Sequence, residues 1–181
     1  AGVADLVGPA TVAIGRSGRG SGVVVAEGRV LTNAHNLRDR TTQITFSDGR
    51  SEQGSLLAVD TGADLAVLEV DTADVAPVRW ADSVPGVGAA VLALSLGHGG
   101  ARVTVGFVSG VQRSFRGPRG RRIDGGLEHT APMARGSSGV PLVDTSGHLV
   151  GLNTHRLGEG FYVAQAAEPE LVQRVTALVE G

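Results

Sequence analysis

Two adjacent serines stand in the segment ARGSSGVPLVD, residues 134–144, between glycines and an apolar run. A serine hydroxyl is a poor nucleophile at neutral pH, so a serine that attacks carbonyl groups needs a base within hydrogen-bonding distance and an acid that orients this base. The chain contains five histidines and 18 acidic residues. The first question is therefore which histidine and which carboxylate could serve one of these serines.

His35 and Asp64 are the candidates for the base and the orienting acid. His35 lies in VLTNAHNL, directly after an apolar run, and Asp64 opens the apolar run in ADLAVLEV, so both are expected at strand ends. A partly buried carboxylate needs a partner, and an imidazolium would serve. The order His, Asp, Ser along the chain is one of those in which catalytic triads occur on unrelated folds.

The position of the oxyanion donors favours Ser138 over Ser137 as the nucleophile. In such a site the N–H groups of the nucleophile and of the residue two before it hold the developing oxyanion, which is easiest with glycine at the earlier position. Ser138 has Gly136 there, whereas Ser137 would have Arg135, whose side chain crowds the loop. We expect Ser138 to attack, and the N–H groups of Gly136 and Ser138 to form the oxyanion hole.

A mostly β chain must position these residues. Short runs rich in Val, Leu, Ile and Thr recur in two sets, at residues 11–71 and about 88–164, and glycine-bearing turns such as AEGR, SDGR and DTSGH separate them. The closing segment EPELVQRVTALVEG has apolar residues at helical spacing. We predict an N-terminal lobe over residues 1–76, a link over 77–88, a C-terminal lobe over 89–166 and a helix over 167–181.

The composition is that of a folded chain. Its 181 residues are 41% hydrophobic with a formal net charge of −2, which gives no reason to expect a specific nucleic-acid partner. No apolar run reaches the roughly 20 residues of a membrane helix, and AGVADLVGPA does not have the pattern of an intact signal peptide. Because the chain has no cysteine, disulfides and thiolate metal sites are excluded. We expect no metal, no cofactor and no membrane segment.

Four segments resemble the motifs of the trypsin-like serine endopeptidases, and within them the bacterial HtrA (Deg) type. GSGVVV at 20–25 resembles the glycine-rich opening, VLTNAHNL the histidine motif, ADLAVLEV the aspartate motif and GSSGVPLVDTSGHLVGLNT the serine motif. The resemblance implies an all-β fold of two six-stranded antiparallel β-barrels with a C-terminal helix, forming one protease domain over residues 1–181. It also implies His35 as the general base, Asp64 as its orienter and Ser138 as the nucleophile.

The chain departs from the family pattern at three positions near this site. Ser137 stands where the family usually has Asn or Asp, Val140 where a second glycine usually follows, and Asn36 where an apolar residue usually follows the histidine. These departures leave a second hypothesis open, namely a latent or catalytically silent module that binds peptides or a partner protein through the same cleft.

The residues expected to form the primary specificity pocket carry no carboxylate. They are Pro132, Met133, Ala134, Arg135, Thr154 and His155. A pocket for Arg or Lys has a carboxylate at its base, and Pro132 occupies that place, so cleavage after basic residues is disfavoured. We predict a preference for small or medium apolar side chains. An acidic side chain held by Arg135, Thr154 or His155, as in the similar glutamyl endopeptidases, is the alternative.

Five arginines lie between Arg113 and Arg122. The simplest interpretation is a surface loop. The resemblance places it where HtrA proteases carry a regulatory loop, and a β module that binds anions through these arginines is a third hypothesis for the chain. The resemblance further implies protein or peptide substrates and a secreted, periplasmic or cell-envelope location, and it allows a homo-oligomer.

Overall fold

The computed structural model describes residues 2–16, 20–97, 100–134 and 138–181. The first six strands are β1 (Thr11–Ile14), β2 (Gly20–Ala26), β3 (Arg29–Asn33), β4 (Thr41–Thr45), β5 (Ser51–Asp60) and β6 (Leu65–Glu69). The next six are β7 (Ala90–Gly97), β8 (Gly100–Arg116), β9 (Arg122–His129), β10 (Pro141–Val143), β11 (Leu149–Gly158) and β12 (Phe161–Ala166). The helices are α1 (Val3–Val7) and α2 (Pro169–Glu180), with short 3-10 turns at Gly8–Ala10, Ala34–Asn36 and Pro118–Gly120.

Each set of six strands closes into an antiparallel barrel. The strand order is β1-β2-β3-β6-β5-β4 in the first barrel and β10-β11-β12-β9-β8-β7 in the second. Pairing of β1 with β4 and of β10 with β7 completes the two rings, so neither sheet keeps an open edge. The prediction of an all-β fold with two six-stranded barrels and a closing helix is confirmed.

The hydrophobic core continues from one barrel into the other. Ile44, Leu31 and Leu68 of the first barrel belong to the same buried cluster as Leu94 and Leu152 of the second. Helix α2 adds its apolar face to this cluster through buried Leu171 and Val175. A second cluster fills the C-terminal barrel. The shared core fixes the two barrels against each other, and so fixes the cleft between them.

The segment between β6 and β7 contains the predicted link and is bonded to both barrels. Val78 N–H donates to Val24 O, and the backbones of Arg79 and Ala81 exchange hydrogen bonds with Leu149. Strands β1 to β6 lie within the predicted set at residues 11–71, and β7 to β12 span residues 90–166, close to the predicted second set. Helix α1 was not predicted, since a five-residue helix leaves little periodicity in a sequence.

The arginine-rich segment forms a β-hairpin, which corrects the expectation of a surface loop. Arg113 and Arg116 lie in β8, and Arg122 begins β9. Polar residues at the exposed tip of a hairpin lose the apolar alternation that marks a strand, so the sequence of this segment does not reveal its strands. Neither described helix is long and apolar enough to cross a membrane.

Candidate active site

The pairing of β3 with β6 brings His35 and Asp64 together. Asn33, the last residue of β3, pairs with Leu65, the first residue of β6. The chain continues from β3 into the 3-10 turn that carries His35, and Asp64 immediately precedes β6. Two residues that are 29 positions apart therefore become neighbours through one antiparallel register.

Asp64 is held in a strained backbone conformation by its hydrogen bonds. Its φ of 56° lies in the left-handed region, which is uncommon for a residue other than glycine. The carbonyl oxygen of Asp64 accepts bonds from Ala34 N–H at 3.0 Å and Asn33 Nδ2 at 3.0 Å. Such strain persists where surrounding contacts over-determine the geometry, and it is concentrated at functional sites.

The carboxylate of Asp64 orients the imidazole of His35. Asp64 is buried, with 3% of its surface exposed. Its Oδ1 accepts the backbone N–H of His35 at 2.9 Å, and its Oδ2 lies 2.5 Å from His35 Nδ1. An ionised carboxylate only accepts, so Nδ1 carries a proton and Nε2 is left to face the rest of the site.

Ser138 completes the chain of polar contacts. Its Oγ lies 2.7 Å from His35 Nε2, within the range of a strong hydrogen bond. The three side chains predicted from the sequence are therefore in line from carboxylate to imidazole to hydroxyl. This arrangement can move the hydroxyl proton to the imidazole while the carboxylate stabilises the resulting charge.

The first barrel holds the backbone of the nucleophile, although Ser138 belongs to the second. The carbonyl oxygen of Ser138 accepts Ser21 N–H at 2.8 Å and Asn36 Nδ2 at 2.9 Å. Asn36 also donates to Thr32 Oγ1 at 3.0 Å, which fixes its amide. Asn36, a departure from the family pattern, thus serves as a clamp between the barrels.

Gly139 allows this close approach. Its φ is +90°, and a Cβ atom at this position would overlap the carbonyl oxygen of Ser21. Its N–H donates to Asn153 O at 2.7 Å, which ties the residue after the nucleophile to β11. Val140, another departure, is buried in the core of the second barrel. No other residue type could occupy position 139 without moving the backbone of β2.

Asn33 is a second acceptor for the hydroxyl of Ser138. Its Oδ1 lies 2.7 Å from Ser138 Oγ, the same distance as His35 Nε2. The bond from Asn33 Nδ2 to the carbonyl of Asp64 determines which end of the amide faces the serine. A hydroxyl has one hydrogen, so it can donate to Asn33 or to His35 but not to both. Attack requires the orientation towards His35.

The predicted pocket residues separate into two groups. Pro132, Met133 and Ala134 line one cavity of about 170 Å³, together with Ala93, Ser95, Arg102, Thr104 and Val140. Thr154 and His155 do not line it. Thr154 is buried and its hydroxyl donates to Leu152 O, whereas His155 is exposed and stacks on Phe115 with 6.4 Å between ring centroids.

Three predicted residues, Arg135, Gly136 and Ser137, lie outside the described residues. The assignment of the oxyanion hole to the N–H groups of Gly136 and Ser138 therefore stays a prediction. Within the described ranges, no group of three His, Asp or Glu side chains is close enough together to hold a metal ion.

The arginine hairpin is partly neutralised by its own residues. Asp124 accepts bonds from Ser114 Oγ at 2.7 Å and Arg122 Nε at 2.8 Å. The Ser114 bond first and the Arg122 bond second lower the pKa of this carboxyl group. Arg116 donates to Gly120 O within the turn. These internal contacts reduce the number of cations that the hairpin offers to a polyanion.

Sequence reasoning missed the asparagines that support the triad. Asn33 and Asn153 have no exposed surface, and each follows buried residues of its own strand, Val30–Thr32 in β3 and Leu149–Leu152 in β11. A polar residue in a buried strand needs hydrogen-bond partners. An asparagine inside an apolar run, as in VLTN and VGLN, was therefore the signal that could have identified them.

Comparison with known proteins agrees with this geometry. The chain matches the trypsin-like peptidase domain family over residues 20–152, a range that contains His35, Asp64 and Ser138. The chain belongs to the trypsin-like peptidase family. Within this family it is similar to the putative serine protease HhoB of Synechocystis, with 33% identity over 144 residues that cover 76% of this chain and 34% of the relative.

Two further relatives of this trypsin-like peptidase are bacterial. The serine endoprotease DegS of Escherichia coli is 34% identical over 140 residues, which cover 75% of this chain and 39% of DegS. The crystal structure of the serine endoprotease from Yersinia pestis superposes with a TM-score of 0.78 at 29% identity, covering 97% of this chain and 64% of that one. The HtrA (Deg) resemblance is confirmed. The chain spans less than half the length of these curated relatives.

Proposed function

We propose that this chain is a serine endopeptidase that hydrolyses peptide bonds of protein substrates through an acyl-enzyme. The observation that carries this proposal is the unbroken series of contacts from Asp64 to His35 to Ser138, with 2.5 Å and 2.7 Å between the bonded atoms. Each group stands in the order in which it would act, and the family membership of the chain supports the same chemistry.

In the acylation step, Ser138 Oγ attacks the carbonyl carbon of the scissile peptide while its proton passes to His35 Nε2. The C–O bond forms as the carbonyl π electrons move to oxygen, where N–H donors stabilise the negative charge. Asp64 stays ionised and stabilises the imidazolium. His35 then gives the proton to the leaving amine, the C–N bond breaks, and Ser138 remains esterified.

In the deacylation step, water takes the place of the amine. His35 removes a proton from water as the oxygen attacks the ester carbon, and it returns that proton to Ser138 Oγ as the C–O bond breaks. Asp64, His35 and Ser138 thus supply the orienter, the base and the nucleophile that both steps use.

The hydrogen-bonded triad favours turnover over a silent module. A protein that used the cleft only to bind peptides would need neither the oriented imidazole nor the serine placed 2.7 Å from it. The third hypothesis, anion binding through the arginine hairpin, is weakened by the pairing of Arg122 with Asp124.

For specificity we propose small or medium apolar side chains at the residue before the scissile bond. The segment that leads to Ser138 supplies Pro132, Met133 and Ala134, and none of the described residues that line their cavity is acidic. Initial rates on matched peptides with Ala, Val, Leu, Glu or Arg at this position test the preference. A faster rate with Glu would favour the acidic alternative.

We propose protein substrates and a location in the cell envelope or outside the cell. A relative from Haemophilus influenzae is named as a probable periplasmic serine protease, and it is 34% identical over 144 residues. Formation of a homo-oligomer and the lack of a specific nucleic-acid partner stay predictions. Fractionation of cells with an antibody to this chain tests the location.

A fluorophosphonate probe tests the function directly, because it labels only an activated serine. The purified chain would be treated at pH 8 and its intact mass read, with Ser138→Ala, His35→Ala and Ser137→Ala in parallel. We expect one label on the wild type and on Ser137→Ala, and none on the other two. A folded wild type that binds peptides but takes no label would establish the silent module.

A further inference from the structure

His129 lies at the end of β9 and has no solvent-exposed surface. The hydroxyl of Ser138 does not contact it, so it has no part in the proposed triad. Both of its ring nitrogens are bonded. Ala131 N–H donates to Nδ1 at 3.1 Å, and Nε2 lies 2.6 Å from Asn153 Oδ1. Tyr162 of β12 stacks on the ring with 5.7 Å between centroids.

These two hydrogen bonds are compatible with only one protonation state of the imidazole, the neutral Nε2–H tautomer. Because Nδ1 receives the N–H of Ala131, it carries no proton, and Nε2 must then carry the one that is donated to Asn153. A second proton on Nδ1 would point at the N–H of Ala131, and a buried donor would lose its acceptor. The site is therefore built for a neutral ring.

The network bonds both ends of the segment that carries the nucleophile. The segment between β9 and β10, residues 130–140, carries Ser138 and is called the Ser138 segment here. At the start of this segment, the N–H of Ala131 donates to His129 Nδ1. Asn153 donates to Val140 O at its end from both its backbone N–H and its Nδ2, each at 2.9 Å. His129 and Asn153 thus join the two ends of the segment inside the second barrel.

We propose that neutral His129 is a positioning residue that holds the two ends of the Ser138 segment together, and that protonation of His129 loosens the segment and slows attack by Ser138. The inference rests on the proposed function, since the reactivity of Ser138 is one of its readouts. It adds a second titrating group to the site, one that acts through backbone placement and not through proton transfer.

The surroundings of His129 do not favour a charged ring. Burial is the larger influence and lowers its pKa, and the bond to Asn153 acts in the opposite direction. Among the described residues, the titratable groups nearby are Tyr162 on β12, Arg156 of β11 over the Tyr162 ring, and Glu128 on β9, which accepts a bond from Ser109 on β8. None of them gives the ring a carboxylate partner.

Two measurements on the wild type test the network without reference to activity. Long-range ¹H–¹⁵N correlation spectra identify the tautomer, and we expect the Nε2–H form at pH 8. Hydrogen exchange of the Ala131 amide should show protection at pH 8 that is lost as the ring takes up a proton. An Nδ1–H tautomer, or Ala131 protection unchanged once the ring is protonated, would overturn the inference.

Two matched variants test the consequence for Ser138. His129→Asn can still accept from Ala131, and His129→Gln can still donate to Asn153, but neither titrates. We expect each to reduce the fluorophosphonate labelling rate at pH 8 by about tenfold, because a small misplacement of a nucleophile has a large effect. Between pH 8 and pH 5 each variant should lose rate less steeply than the wild type. His148→Asn, at a ring with 44% of its side chain exposed, should behave as the wild type.

The outcomes separate the two proposals. Variants that label at the wild-type rate with the wild-type pH profile would overturn the role of His129. A wild type that takes no label at pH 8 would contradict the proposed function, and the tautomer and the Ala131 amide would then decide the inference alone. If the variants do not fold, as judged by circular dichroism, the same two wild-type measurements decide it.

Discussion

His35 and His129 lie in different barrels and differ in the chemistry of their partners. His35 faces the carboxylate of Asp64 and keeps 35% of its side chain exposed. His129 faces the amide of Asn153 and has no exposed surface. A carboxylate stabilises an imidazolium, whereas a neutral amide in a buried site cannot compensate for the loss of hydration. The partner therefore determines which histidine can exchange a proton during turnover.

The two histidines also act on different parts of Ser138. His35 contacts the hydroxyl that attacks, while His129 is connected only to the backbone on either side of it. On the proposal made above, Ser138 depends on two kinds of support: His35, which changes its charge, and His129, which must stay neutral. The following substitutions and pH changes alter the partner of one histidine, its charge, or the backbone that both histidines support.

Asp64→Asn gives His35 the kind of partner that His129 has, and we expect the largest effect from it. The amide would present a donor or a weaker acceptor to Nδ1, so the tautomer that exposes a basic Nε2 would be lost. The labelling rate should fall by about 10⁴-fold, as expected for removal of the orienting carboxylate. Intact-mass spectra of reactions quenched at a series of times measure the labelling rate. A fall of less than tenfold in a folded variant would contradict the role of Asp64.

Gly139→Ala disturbs the stretch of backbone on which both histidines depend. A methyl group would overlap the carbonyl of Ser21, and the residue has a positive φ. We expect a loss of at least about 2 kcal/mol in the free energy of unfolding, measured by urea titration, together with loss of labelling. Gly49→Ala is the control, because its φ is also positive but its Cβ would meet no atom within 4 Å.

Asn153→Asp is the reverse of Asp64→Asn, because it gives His129 a carboxylate partner like that of His35. We expect the pKa of His129 to rise, which an NMR titration of the ring would show directly. Because the aspartate side chain cannot donate to Val140 O and only the backbone N–H still does, the variant should also lose about 1–3 kcal/mol of stability. A His129 ring that remains neutral at every pH at which the fold is intact would argue against this comparison of partners.

The pH dependence of stability should show the smallest effect. Burial lowers the pKa of folded His129 below its ordinary value of 6.5, so the unfolded chain binds this proton more readily. Its contribution is fully present above about pH 6.5 and is lost as the pH falls towards the lowered value, with a slope of at most about 1.4 kcal/mol per pH unit. Urea titrations from pH 8 to pH 5 should give a shallower dependence for His129→Gln.

The triad residues could be predicted from the sequence more readily than the hydrogen bonds that hold the backbone around them. The order of His35, Asp64 and Ser138 is visible because each follows or opens a recognisable apolar run. The contact between His129 and Asn153 is not, because it depends on β9 and β11 both lying beside β12. No local pattern encodes that adjacency. For the same reason nothing in the sequence next to His129 indicates its role.

The departures from the family pattern could be recognised in the sequence but not interpreted. Asn36 was noted as unusual, yet its bond to the carbonyl of Ser138 spans 102 positions and two barrels. Val140 was noted as a departure, and in the structure its side chain is buried in the core of the second barrel. The contact of Asn36 depends on how the two barrels pack against each other, and the burial of Val140 depends on packing inside the second barrel.

The hydrogen bonds from Ser21 and Asn36 to the Ser138 carbonyl have a consequence for the order in which the site is assembled. During synthesis His35 and Asp64 leave the ribosome before Ser138, because they precede it in the chain. Ser138 emerges later and is aligned only when the second barrel docks against the first. We therefore expect the proposed hydrolysis to begin only once both barrels are in place, since an incomplete chain carries no aligned nucleophile.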